Sequence, residues 1–81
     1  MEISKAFGIV LRKQRKAANF SQEQLALQCD LDRTYIGMLE RAERQPSLTT
    51  IFTICAVLKI EPNIFIKEVE LEIEKNNQQY K

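Results

Sequence analysis

The stretch Leu31–Arg41, LDRTYIGMLER, decides the fold and poses its main problem. Asp32 belongs to the residue types that cap helix starts, its side-chain oxygen accepting from first-turn amides, so a helix opens at Arg33. The helical period then sets Ile36 and Leu39 on one side and Arg33, Thr34, Gly37, Met38 and Arg41 on the other. That second side is polar, uncovered and carries a glycine, which costs roughly 1 kcal/mol relative to alanine in mid-helix. A helix so short must be held by its neighbours on the apolar side, and the polar side is left for something else.

The preceding segment, FSQEQLALQC, supplies one neighbour. Ser21 and Gln24 form an S-x-x-Q capping box, each side chain able to satisfy the other's free backbone N–H. A short helix follows with Leu25, Ala26 and Cys29 inward, and Asp30-Leu31 is the turn. Two helices joined by about three residues make the helix-turn-helix arrangement, whose second helix can enter the major groove of DNA. Leu25, Leu31, Ile36 and Leu39 form the shared seam, and Ala26 is small where the helices approach. Asp30 stands where such turns favour glycine; aspartate is among the few residues that tolerate a left-handed backbone. Upstream, Ile3, Phe7, Val10 and Leu11 recur at helical spacing and predict a first helix over about residues 3–18, broken at Asn19-Phe20. Downstream, AERQPS reads as a polar loop closed by Pro46. Ser47 caps a fourth helix with a stripe of Leu48, Ile51, Ile54, Cys55 and Leu58. Pro62 fits the first turn of a fifth, carrying Ile64, Phe65, Val69 and Ile73 and fraying in the tail NNQQYK.

Composition agrees with a single all-α domain. The chain has 81 residues, 44% hydrophobic and 28% charged, with only two glycines and two prolines to break helices. No alternating β-branched run predicts a strand. Cys29 and Cys55 fall at apolar helical positions, as small buried hydrophobes or a single disulfide. With no histidine, no CxxC and no nucleophile–base set, the residues weigh against an enzyme and call for no metal or cofactor. No apolar stretch approaches the roughly 20 residues of a membrane span, so the expectation is a cytoplasmic protein. Lys5, Arg12, Lys13, Arg15 and Lys16 face only Glu2 within residues 1–19, whereas residues 20–45 lean acidic. A basic first helix suits an anionic partner.

The capped SQEQLA, the turn, LER and the run PSLTTI occur in an order that resembles the helix-turn-helix of the Xre and phage-repressor family, over about residues 4–66. LDRTYI followed by LER is similar, within that family, to the controller proteins of restriction–modification systems, small dimeric regulators of their own operons. The resemblance implies a compact five-helix, lambda-repressor-like domain with the helix-turn-helix at about 21–41 and the third helix as recognition helix. Arg33, Thr34, Gly37 and Met38 would then face base edges, Arg33 by the bidentate contact to guanine O6 and N7. Tyr35 would stand beside a phosphate or pack on the seam with Ile36 and Leu39. Gly37 would either admit the DNA closely or simply be tolerated. Gln22 resembles the family's phosphate-clamping glutamine. Ser47 and Thr50 would offer hydroxyls and amides to the opposite phosphate run, and Arg44 and Gln45 resemble loop contacts. Arg15 and Glu40 match a structural salt bridge tying the first helix to the end of the third.

The fifth helix carries more apolar residues than one small core can take. Phe52, Ile64, Phe65, Ile66 and Val69 are the expected face of a homodimer built on about residues 48–74. A twofold dimer sets two recognition helices one DNA turn apart, suited to a palindromic operator in double-stranded DNA. With no second domain to sense a ligand, occupancy would follow protein concentration. Glu23, Asp30, Asp32 and Glu43 offer an acidic surface to RNA polymerase at an adjacent site. The rival reading is a protein-interaction module of antitoxin type using the fifth helix, for which the Arg33 face is dispensable.

Overall fold

Three of the helix starts and four of the stops can be traced to a local hydrogen-bonding device. The computed structural model describes residues 2–78, with side chains through residue 75. Its helices are α1 (Ile3–Ala17), α2 (Gln22–Cys29), α3 (Arg33–Glu40), α4 (Leu48–Leu58) and α5 (Pro62–Gln78). Ser21 and Gln24 close the capping box, the Gln24 N–H donating to Ser21 Oγ at 3.0 Å and the Ser21 N–H to Gln24 Oε1 at 2.8 Å. Asp32 Oδ1 accepts from the Thr34 N–H at 3.1 Å, and Ser47 Oγ from the Thr50 N–H at 3.1 Å. α5 continues through Gln78, and the rest of the tail expected to fray lies outside the described residues.

The stops share one design. Asn19, Asp30, Ala42 and Lys59 follow α1 to α4 with φ between 56° and 62°, the left-handed region, and none is glycine. Each lies in a Schellman pair of hydrogen bonds that ties up the last carbonyls of its helix. After α2 the Asp30 N–H donates to Leu27 O and the Leu31 N–H to Ala26 O; after α3 the Ala42 N–H donates to Leu39 O and the Glu43 N–H to Met38 O. At three of the four ends the next residue (Phe20, Leu31 or Ile60) is a hydrophobe packed on the core.

The core draws on every helix: Phe7, Val10 and Leu11 from α1, Leu25, Ala26 and Cys29 from α2, Ile36 and Leu39 from α3, Ile54 and Cys55 from α4, Phe65 and Val69 from α5. Phe7 and Phe65 meet with ring centroids 5.3 Å apart. Both cysteines are free and buried, and burial pushes their thiols up, away from thiolate chemistry. Two expectations are corrected. Ile3 and Leu48 are 68% and 71% exposed, outside the core stripes assigned to them. Phe65 and Val69, placed by the sequence on a dimer face, are core residues because α5 lies along α1 and turns both onto it. Among the described residues no single helix is long and apolar enough to cross a membrane.

Gly8 sets the crossing of α1 and α3. A Cβ there would stand 2.6 Å from Glu40 O and 2.7 Å from Leu39 O, so no side chain fits without moving backbone. Gly8→Ala is therefore expected to destabilise by about 1–3 kcal/mol through overpacking, outweighing the roughly 1 kcal/mol that alanine gains in a helix. Urea denaturation measures the difference; an unchanged or higher midpoint would show that the two helices part freely.

Candidate nucleic-acid interface

The placement of α3 begins with a buried carboxylate. Glu40 Oε2 accepts from Arg15 Nε at 2.6 Å, and Glu40 Oε1 accepts from Arg15 Nη2 at 3.2 Å and from Gln22 Nε2 at 3.0 Å. Arg15 Nη1 donates to Phe20 O at 2.7 Å. The Arg15 and Glu40 side chains are 9% and 4% exposed, so the pair is desolvated and its charges are met by these bonds. The last turn of α1, the turn after it, the first turn of α2 and the last turn of α3 meet here. The structural pairing of Arg15 with Glu40 is present, and it also holds Gln22 by its carboxamide, a partner the sequence did not suggest.

With its apolar side in the core, α3 turns the rest outward. Arg33 and Thr34 are exposed at its first turn, and Met38 is half-buried. Gln22, Arg33, Thr34, Gly37 and Arg41 line one shallow polar depression. Gly37 is covered by the Arg41 guanidinium rather than open. Arg41 in turn pairs with Glu43, Nε to Oε2 at 2.9 Å. The hydrogen bond from Arg41 holds the Glu43 carboxyl below its ordinary range, and the same bond raises Arg41.

Tyr35 takes the second of its two placements, half-buried against the core, and its ring carries the Arg44 guanidinium 6.0 Å above its centre. Gln45 is exposed and borders a separate apolar groove with Ile3, Phe7, Pro46, Ile51 and Ile66. At the start of α4, Ser47 Oγ donates to Thr50 Oγ1 at 3.0 Å while capping Thr50 N–H, so the two hydroxyls already engage each other. Of the first amides of α4, that of Thr50 is taken by this cap, while the two before it have no intrahelical partner. Of the four acids in this region, Asp32 serves the α3 cap and Glu43 holds Arg41, while Glu23 and Asp30 are exposed.

Comparison with known proteins decides the family. Residues 11–65 match the helix-turn-helix family. The control protein C.BamHI of Bacillus amyloliquefaciens is 46% identical over 57 residues, covering 69% of this chain and 70% of that one. The chain belongs to the helix-turn-helix controller proteins. Among solved structures, the restriction–modification controller protein C.AhdI from Aeromonas hydrophila is 41% identical, with a TM-score of 0.73 over 82% of this chain and 94% of that one. The controller protein C.Esp1396I, seen as a tetramer in complex with its natural 35-base-pair operator, is 29% identical, with a TM-score of 0.81 over 90% of this chain and 96% of that one.

For this controller protein the Glu40 cluster generates a direct expectation. Glu40→Ala leaves Arg15 buried with one of its partners and frees Gln22, and removing one member of a buried pair costs about 3 kcal/mol or more. Thermal and chemical denaturation should show that loss. A change within about 0.5 kcal/mol, the range of surface substitutions, would place the pair outside the stabilising framework.

Proposed function

We propose that this chain is a sequence-specific DNA-binding regulator that binds a palindromic operator as a homodimer and controls its own operon, with α3 lying in the major groove. The observation that carries the reading is the depression along α3. Arg33 and Thr34 stand exposed beside Gln22 on a helix whose opposite side is fully committed to the core. Arg33 is free to form two hydrogen bonds to a guanine edge. Gln22, Ser47 and Thr50, with the first amides of α2 and α4, suit phosphates on either side of the groove, and Arg44 and Gln45 reach from the loop between. Tyr35 contributes by carrying Arg44. The exposed Lys5, Arg12, Lys13 and Lys16 of α1 add an attraction to polyanions; Arg15 does not, being neutralised by Glu40.

Phe52, Ile64, Ile66 and Leu71 are each about half exposed, a quantity of apolar surface that a twofold partner would cover. A dimer of this kind sets its recognition helices about 34 Å apart, one turn of DNA. Regulation by protein concentration follows from association. The place of action is the cytoplasm, the chemistry is binding rather than catalysis, and any contact with RNA polymerase falls to the exposed Glu23 and Asp30.

Two measurements test this. Arg33→Ala should lower affinity for the DNA upstream of the gene by about 1–3 kcal/mol per half-site, with far less effect on a shuffled duplex. Thr50→Ala should weaken both more evenly, and binding should fall steeply with salt as counterions return to the duplex. An unchanged ratio of specific to shuffled binding removes Arg33 as a reader; no salt-sensitive duplex binding at all favours the interaction module. In sedimentation, the unmodified protein should be a dimer at micromolar concentration and Ile66→Glu should shift it to monomer with helical content kept. A monomer at tens of micromolar in the unmodified chain would remove the dimer and with it the palindrome.

A further inference from the structure

Arg33, Gly37 and Arg41 are spaced four residues apart and form one stripe along α3, bordering the polar depression together. The glycine decides how the second arginine lies. A Cβ on Gly37 would come within 2.9 Å of Arg41 Nη1 and 3.7 Å of Nη2, so the guanidinium occupies the space that a side chain would fill. Glu43 steadies it from the far side, accepting from Nε at 2.9 Å and from Nη2 at 3.4 Å. A guanidinium has five N–H donors. This pairing uses Nε and one hydrogen of Nη2, and leaves the end formed by Nη1 and the other Nη2 hydrogen without a partner among the described residues. That end is a fork suited to guanine O6 and N7.

The turn after α3 differs from its fellows in the way this arrangement needs. After α1, α2 and α4 the left-handed residue is followed by a hydrophobe packed on the core. After Ala42 comes Glu43, an exposed acid whose carboxylate goes to Arg41 instead.

We propose that Arg41 is a second base-reading arginine, seated by Gly37 and aimed by Glu43, which specifies a guanine in each half-site separately from Arg33. The inference rests on α3 being the DNA-reading helix. Gly37 and Glu43 are positioning residues: they hold the guanidinium before DNA arrives, so that less side-chain freedom is lost on binding.

The test is selection from a random duplex pool by the unmodified protein and by Arg41→Ala, Gly37→Ala, Glu43→Gln and Arg33→Ala, with helical content checked by circular dichroism. Arg41→Ala should lose about ten-fold or more of its preference for guanine at one position per half-site, while the position lost in Arg33→Ala is a different one. Gly37→Ala, which favours the helix itself, should weaken the same position as Arg41→Ala and add nothing in the Arg41→Ala background. Glu43→Gln should blur that position while strengthening binding to all duplexes, since it removes an acid from the DNA side. An Arg41→Ala motif identical to the original, with affinity lowered evenly, would make Arg41 a phosphate contact and overturn the proposal. So would an effect of Gly37→Ala that persists without Arg41. If Arg33→Ala alters the motif and these three do not, the DNA reading stands and this inference falls. If the unmodified protein enriches no sequence, both fall together.

Discussion

One buried carboxylate, that of Glu40, fixes the position of α3. Taking it and Arg15 out of water is expensive, and the expense is offset only because hydrogen bonds meet the charges from several directions. Arg15 supplies two of them, Gln22 a third, and the guanidinium's remaining edge goes to Phe20 O. Such a pair adds less to stability than to geometry: it is satisfied in one arrangement of α1, α2 and α3. Gly8 acts with it. At the same end of α3, the carbonyls of Leu39 and Glu40 press against the α1 backbone where a side chain is missing. A close backbone approach and an ion pair together leave α3 little freedom to roll, so which of its residues face outward is decided from behind.

Much of this was legible in the sequence because the devices are local. Ser21, Asp32 and Ser47 cap helices through atoms two or three residues away, and Asp30 takes the left-handed backbone expected of it. The Arg15–Glu40 pair was legible through resemblance, not through spacing: the two residues are 25 positions apart. What escaped depended on how helices cross. On α5, Phe65 and Ile66 are neighbours of equal hydrophobicity, yet one is fully buried against Phe7 and the other 46% exposed. The apolar pattern names more than one side of that helix, and only the crossing with α1 chooses between them. Nothing in the sequence around Gly8 marks it, because the carbonyls that exclude a side chain there belong to α3, some thirty residues away.

The site shows the same division. Arg33 and Thr34 follow directly from the cap at Asp32, which fixes the helix start and hence its phase. Arg41 was visible on the polar side but without a role, since its pairing with Glu43 needs the chain to reverse at Ala42, and an alanine announces no reversal. Tyr35 resolved into a double one: its ring belongs to the seam and its outer surface to Arg44.

The four reversals have a consequence for how such a chain can vary. Neither glycine is spent on a turn; each stop is a single left-handed residue closing two backbone bonds. An inserted residue would break both bonds and, after α1, α2 or α4, draw Phe20, Leu31 or Ile60 off the core. At these reversals a single insertion is therefore costly, and the frame that presents α3 resists small changes there. On the proposed reading, a change of target is left to side-chain exchange along one stripe of α3, on a mount that stays as it is.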